Sequence, residues 1–182
     1  IPLIKARPKG KPFFLWLAAL DPHRPYEEGI LAQSHLPAAV RVAPYHPDTF
    51  GVRREYALYY DEISRLDRFT GLVINELRDQ GILDETLVVF FSDNGRPFPR
   101  DKTSLYDSGI RTPFIIRYPP VVKAGSVCDR LISAVDIAPT LLEFAGAKGS
   151  SRFDGVSFAR LLGNPRGLPV RSHAFAEKNW HD

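Results

Sequence analysis

Methionine is absent from the chain's 182 residues, and cysteine occurs once, at Cys128. One cysteine cannot form an internal disulfide, and it excludes a metal site built from several thiolates. No apolar run approaches the roughly 18 residues that a membrane-spanning helix requires. Lysine and arginine side chains are scattered along the chain, so a basic stripe for nucleic acid is not predicted either.

The composition that remains is that of an ordinary globular protein, with 44% hydrophobic and 25% charged residues. The length suits one domain, and we predict no second domain within residues 1–182. A formal net charge of +3 and a pI near 9.1 are compatible with an anionic substrate. Because the chain has no initiator methionine and stops within the polar-aromatic segment 179–182, we expect it to be part of a longer protein.

One stretch combines the pattern of a buried strand with a polar turn. Residues 87–91 are apolar and mostly β-branched or aromatic, which predicts a strand. Asp93, Asn94 and Gly95 follow, and Asn-Gly is a strong turn signal. Ligands of open α/β sheets bind beyond the carboxyl ends of the strands, where adjacent oxygen donors suit Ca²⁺ or Mg²⁺. From these residues alone, a plain turn explains the pattern equally well.

A second apolar run repeats this arrangement. Residues 12–20 predict a central strand, and the segment 21–26 that follows brings two prolines and three ionisable groups together. Polar clusters that follow two parallel strands would meet at one edge of the sheet. Residues 1–11 predict a loop, and residues 27–49, which have little periodicity, predict a long irregular excursion.

From Arg53 the apolar residues recur at three- and four-residue steps, which predicts a long helix that Gly81 closes. The charged residues of this segment, including Asp61, Glu62 and Arg65, mostly fall outside its apolar face. Another strand is predicted over residues 114–118. The order strand, excursion, helix, strand predicts an α/β fold with a mostly parallel sheet.

The last third of the chain predicts smaller elements. Asp136 is the predicted N-cap of a helix over residues 137–144, and Gly146 closes it. A short helix is expected within residues 153–162, and a further strand is expected to begin at residues 173–176.

Four motifs resemble those of the sulfatase family, and they follow one another along the chain in the family's order. They are the strand ending in Phe91-Ser92-Asp93-Asn94-Gly95, the segment from Lys102 through Tyr106-Asp107-Ser108-Gly109-Ile110-Arg111-Thr112-Pro113, the upstream Asp21-Pro22-His23-Arg24-Pro25-Tyr26, and the downstream Val135-Asp136-Ile137-Ala138-Pro139-Thr140. The Asp-Pro-His-Arg and Asn-Gly-x-Pro-Phe-Pro forms are most similar to the branch that contains the sulfamidases.

The resemblance implies an alkaline-phosphatase-like α/β/α sandwich, incomplete in this chain, that binds one divalent cation, usually Ca²⁺, with Mg²⁺ as the alternative. Asp93 and Asn94 match two metal ligands. Lys102 matches the lysine that binds the sulfate group, and His23 matches the histidine that contacts the sulfate and assists the leaving group. His181 is a further predicted substrate contact. The implied reaction is hydrolysis of a sulfate ester or sulfamate on a small molecule or glycan, in an extracytoplasmic compartment.

The chain also departs from the family pattern. The Cys- or Ser-x-Pro-x-Arg motif, whose first residue becomes formylglycine, is absent, since Cys128 is followed by Asp129 and Arg130. The family's N-terminal Asp-Asp pair and its Lys-x-His segment are absent too. We therefore expect a partial catalytic domain that is inactive by itself, with the nucleophile upstream of Ile1.

Two other functions are also compatible with these residues. One is a phosphatase or phosphonate hydrolase of the same superfamily. The other is a non-catalytic, sulfatase-like module that binds sulfated glycans. Taken singly, His23 is also explained as a structural turn residue and Lys102 as a solvated surface lysine. Arg24 and Arg111 are interpreted as residues of local ion pairs, and His35 and His46 as exposed side chains without a ligand role.

Overall fold

The computed structural model describes residues 1–147 and 153–178. Its regular elements are α1 (Pro2–Ala6), α2 (Phe50–Asp79), β1 (Val88–Phe91), α3 (Asp107–Ile110), β2 (Phe114–Arg117), α4 (Ile137–Phe144) and α5 (Ala159–Gly163). Short 3-10 turns occupy Pro37–Ala39, Leu83–Glu85 and Ala134–Asp136. Among the described residues, no helix is both long and apolar enough to cross a membrane.

Helix α2 is the longest element, and its ends follow from local chemistry. It begins at Phe50, three residues before the predicted start, because the Thr49 hydroxyl accepts a hydrogen bond from the Val52 N–H (3.3 Å). Gly81 lies just beyond its C-terminus with a φ of +70°. The Ile82 N–H donates to the Leu77 carbonyl (3.0 Å), which completes a Schellman motif. The predicted glycine stop is confirmed.

Two apolar clusters pack against α2. Tyr56 is fully buried in one, against Val40 and Ala43 of the excursion and Phe98 of the loop after β1. The other joins Leu77 to Leu83 and to Ile4 of α1. The prediction of a loop over residues 1–11 is therefore wrong for α1, whose short helix is stabilised by the burial of Ile4.

The described sheet consists of β1 and β2, which pair antiparallel in a register from Val88↔Arg117 to Phe91↔Phe114. The predicted sheet is mostly parallel, whereas this described pair of strands is antiparallel. Parallel strands need a connection that crosses over the sheet. Here residues 92–113 instead fold back onto the carboxyl end of β1, where the Ser92 N–H donates to the Pro113 carbonyl (3.3 Å).

The apolar run 12–20 does not form a strand, and neither do residues 173–176. Within the described ranges, neither segment has a partner strand, and a strand requires a neighbouring ladder for its backbone groups. Phe14 and Leu20 of the first run are 75% and 87% exposed. Trp16 of the same run meets the ring of Phe91 in β1 edge-on at 5.9 Å, and Leu15 packs against the cluster of Leu77.

The side chain of Asp136 has a different role from the predicted cap of α4. The helix over residues 137–144 is confirmed as α4, but the Asp136 side chain does not cap it. Asp136 instead forms a capping box with Ser133 around the preceding 3-10 turn. The fully buried carboxylate also accepts hydrogen bonds from the Val156 N–H (2.8 Å) and from the Arg171 guanidinium (2.7 Å). It thereby joins α4 to the segments before and after α5.

The charge state of Asp136 contributes to stability. Burial by itself raises the pKa of this carboxyl, but the Arg171 guanidinium and the two backbone N–H groups together outweigh burial and lower the pKa. A group with a lowered folded-state pKa stabilises the fold above its unfolded pKa of about 3.9, and this contribution is lost as the pH falls through the folded value.

The substitution Asp136→Asn is expected to lower the free energy of unfolding by about 3 kcal/mol at pH 7, because it leaves the Arg171 charge unpaired. The difference from wild type should shrink as the pH falls below about 4. Urea unfolding followed by circular dichroism between pH 7 and pH 3 measures it. The exposed Asp154→Asn is the matched control, with an expected change within about 0.5 kcal/mol. A difference that is independent of pH would contradict the role of the ion pair.

Candidate functional site

The residues Asp93, Asn94 and Gly95 lie directly beyond β1, and a close backbone contact holds them there. The Gly95 N–H donates to the Gly109 carbonyl (2.9 Å). A Cβ atom at Gly95 would lie only 2.0 Å from the carbonyl oxygen of Ser108. Any larger residue at this position would therefore push the loop after β1 away from α3. This contact joins the first part of the predicted site to the segment that follows Lys102.

The loop beyond β1 offers the donor type that a hard cation prefers. Asp93 is exposed, and Asn94 is half-buried with its amide nitrogen donating to the Gly95 carbonyl (3.2 Å). That bond leaves the Asn94 amide oxygen as the atom that can face a cation. Ca²⁺ takes six to eight oxygen ligands, and no group of three or more His, Cys, Asp or Glu side chains suited to a metal occurs within residues 1–147 and 153–178. The two side chains fit part of a cation shell.

Lys102 follows a loop that is anchored at several points. Its backbone N–H donates to the Arg96 carbonyl (3.0 Å). The neighbouring Asp101 is fully buried and accepts from the Arg96 guanidinium (2.7 Å) and from the Tyr45 hydroxyl (2.6 Å). In the part of the chain that the structure describes, Lys102 has no carboxylate partner, so its ammonium remains available to an anion.

His46 anchors the same loop from the excursion. Its Nε2 lies 2.7 Å from the Pro99 carbonyl, which can only accept, so Nε2 carries the proton. The Nδ1 atom then accepts from the Tyr56 hydroxyl (2.7 Å). His46 is half-buried rather than exposed as predicted, and its role here is structural. His35 is exposed, and its ring and backbone N–H both contact the buried Asp61.

His23 lies exposed on the turn 21–26, whose backbone bends where the His23 N–H donates to the Leu20 carbonyl (2.8 Å). The His23 Nδ1 lies 2.6 Å from the Arg24 carbonyl. A carbonyl can only accept, so Nδ1 carries the proton in the neutral ring. The Nε2 atom is thus the nitrogen that can exchange a proton with another molecule.

Arg24 connects this turn to the loop after β1. Its Nε donates to the Pro97 carbonyl (3.3 Å), and its guanidinium pairs with Glu55 of α2. The guanidinium also lies over the rings of Tyr26 and Phe98, 4.8 and 5.4 Å from their centroids. The prediction of a local ion-pair role for Arg24 is confirmed by the Glu55 contact.

A second anchor of the turn comes from Arg65 of α2. Its guanidinium binds both oxygens of Asp21 (2.7 Å each) and also contacts the buried Glu62 (3.0 Å). Hydrogen bonding to Arg65 is the main reason that the pKa of Asp21 is lowered, whereas burial raises the pKa of Glu62. The sequence prediction missed this network, because it placed these helix residues outside the apolar face. The three-residue spacing of Glu62 and Arg65 on the helix was the available signal.

The two anchored loops border a shared cleft of about 670 Å³, which we call the basic cleft. Its cationic lining residues are Arg24, Arg100, Lys102 and Lys178. The structure therefore brings Lys102 together with the turn that carries His23. His23, Asp93 and Asn94 are not among the lining residues, and His181 lies outside the described residues. Another cleft, of about 680 Å³ between residues 123–130 and 164–166, contains none of the predicted site residues.

Two curated relatives share much of this sequence. An ulvan-active sulfatase of Formosa agariphila is 41% identical over 117 residues, which cover 64% of this chain and 20% of the relative. The N-sulphoglucosamine sulphohydrolase of Homo sapiens is 36% identical over 157 residues, which cover 74% of this chain and 31% of that enzyme. The chain thus spans under a third of the length of each.

Two solved structures with similar folds identify the fold class of the chain. One, described as a complex with its substrate D-glucosamine-2-N,6-O-disulfate, superposes with a TM-score of 0.62 at 31% identity, over 74% of this chain and 29% of the other. The phosphonate monoester hydrolase of Silicibacter pomeroyi gives a TM-score of 0.60 at 28% identity, over 78% and 28% respectively. These neighbours have the alkaline-phosphatase-like fold, which confirms the predicted fold class. Because the sulfatase family model matches residues 1–147 as well, the chain belongs to the sulfatase family.

Proposed function

We propose that the intact gene product hydrolyses sulfate esters or sulfamates. The observation that carries this proposal is Lys102, a cation without a carboxylate partner in the described residues, in a cleft that it shares with the turn of His23. An anion that enters the cleft would meet the Lys102 ammonium beside the turn that carries His23. A positively charged site of this kind attracts and orients a sulfate group.

The proposed roles follow from the chemistry of each side chain. The Lys102 ammonium binds the sulfate oxygens and stabilises the negative charge that develops as the ester bond breaks. In its doubly protonated form, His23 donates its Nε2 proton to the departing oxygen or nitrogen and returns to the neutral Nδ1–H ring. Asp93 and Asn94 supply oxygen ligands to a divalent cation, Ca²⁺ or alternatively Mg²⁺. The cation, when bound, would neutralise sulfate charge, and a formylglycine would supply the nucleophile from outside these 182 residues.

A sulfated amino sugar is the proposed substrate class. The human relative is named for N-sulphoglucosamine, and one structural neighbour is described with a disulfated glucosamine. A monoester with one negative charge also suits the single ammonium of Lys102. The runner-up function, hydrolysis of phosphonate or phosphate monoesters, is favoured by the TM-score of 0.60 to a phosphonate monoester hydrolase. Turnover of 4-nitrophenyl sulfate against 4-nitrophenyl phosphate and phenylphosphonate separates these reactions.

The metal assignment is tested by Asp93→Ala in the intact gene product. We expect Ca²⁺ to raise the thermal unfolding midpoint of the chelator-treated wild type, because a ligand that binds the folded state stabilises it. The variant should lose this rise together with most sulfatase turnover. The exposed Asp129→Ala is the matched control and should behave as wild type. Unchanged turnover and an unchanged Ca²⁺ response in Asp93→Ala would exclude Asp93 as a ligand.

The role of Lys102 is tested by Lys102→Ala, which should lower kcat/KM for 4-nitrophenyl sulfate by about 10²- to 10³-fold, as expected when a charge that stabilises the transition state is removed. Lys102→Arg should recover part of this loss because it keeps the charge. The exposed Lys123→Ala serves as control. A loss below threefold would mean that Lys102 does not contact the sulfate.

His23→Ala should affect substrates according to their leaving group. A sugar alcohol needs a proton as it departs, whereas nitrophenolate does not. We therefore expect kcat to fall by about 10²-fold or more for a sugar sulfate and by much less for 4-nitrophenyl sulfate. The exposed His173→Ala is the control, with no change for either substrate. An equal loss on both substrates would contradict proton donation by His23.

A further inference from the structure

On the basis of the proposed function, we propose that the basic cleft binds a second anionic group of the substrate, and that Arg100 is the residue that recognises it. The substrate class is thereby narrowed to sulfated sugars that carry an additional sulfate or carboxylate. The chain's own charges and contacts around Arg100 carry this inference.

The positive charges of the cleft outnumber their partners. Among its described lining residues there are four cations and no carboxylate. Arg24 is neutralised by Glu55, and Lys102 is matched by the sulfate that is cleaved. Arg100 and Lys178 then remain, each without a carboxylate partner in the part of the chain that the structure describes. A substrate with only one negative charge would leave both of these cations unmatched.

Aromatic side chains hold the guanidinium of Arg100 in place. Its guanidinium lies over two aromatic rings, 4.4 Å from the centroid of Tyr106 and 5.5 Å from that of Tyr45. Tyr45 is itself fixed by its hydroxyl, which donates to the buried Asp101 (2.6 Å). Stacking engages the flat faces of a guanidinium and leaves its edge N–H groups available. An edge of this kind binds a sulfate or carboxylate through two parallel hydrogen bonds.

The backbone of Arg100 has an unusual conformation. Arg100 has a φ of +68°, in the left-handed region that residues with a Cβ rarely adopt. Its carbonyl accepts hydrogen bonds from the hydroxyls of Ser104 (2.6 Å) and Ser108 (3.1 Å), which hold this conformation. Such a conformation persists only where the surroundings enforce it, and it is common at ligand sites. In this conformation the exposed Arg100 lines the cleft together with Lys102.

The experiment measures selectivity in the intact gene product. The probes are a monosulfated 4-methylumbelliferyl glucosaminide and the same glycoside with one additional sulfate. We expect wild type to prefer the disulfated probe in kcat/KM. Arg100→Ala should lose about tenfold on that probe, mainly through KM, and less than twofold on the monosulfated one, since one charge-assisted contact is removed. The preference of wild type should also weaken at high salt.

Two further variants separate recognition from structure. Arg100→Lys keeps the charge without the planar fork, so it should retain an intermediate preference. The exposed Arg41→Ala, which lies outside the cleft lining, should match wild type on both probes. An equal loss on both probes in Arg100→Ala, or a wild type without preference, would overturn the inference and leave the proposed function standing. Absence of any sulfate hydrolysis by wild type would overturn the proposed function and this inference with it.

Discussion

The packing of Tyr56 against Phe98 is the interaction on which the rest of the site depends. The two rings lie 4.5 Å apart, and both side chains are buried. This contact fixes the loop after β1 on α2, and His46 reinforces it by bridging the Tyr56 hydroxyl and the Pro99 carbonyl. Aromatic pairs of this kind add about 0.5–1.5 kcal/mol beyond the area that they bury. Because α2 also holds the turn 21–26 through Arg65, one helix positions both loops of the basic cleft.

Several arginines among the described residues hold the structure through ion pairs, whereas Arg100 does not. Arg65, Arg96 and Arg171 each bind a carboxylate that is buried or nearly so. Desolvation makes such pairs costly to form, but breaking one leaves an unpaired charge inside the protein, so they maintain a single arrangement of the loops. Arg100 has only aromatic and solvent contacts on its charged end within the described residues. A cation at the solvent edge costs little free energy and can attract an anion.

The apolar run 12–20 illustrates where sequence patterns stop being informative. Its composition is that of a buried strand, yet Phe14 and Leu20 are largely exposed. An apolar run reports that a segment is suited to burial, but the strand itself forms only where another strand supplies hydrogen-bond partners. The β1–β2 pair shows a related effect, because both strands were predictable from composition whereas their antiparallel direction depends on the path of residues 92–113.

The sequence by itself determined the helix α2 and its Gly81 stop, helix α4, the two strands, and the motifs that place Asp93, Asn94, Lys102 and His23 within the sulfatase family. These features depend on neighbours within a few residues or on recognisable local patterns. Only the tertiary structure decided the ion pair of Asp21 with Arg65 and the hydrogen bond of Tyr45 with Asp101, whose partners lie 44 and 56 residues apart. The contacts of the Arg100 guanidinium with the rings of Tyr45 and Tyr106 belong with them. The physical reason is that a charged side chain has the same local pattern whether water or a distant residue is its partner, and only the path of the chain decides between the two.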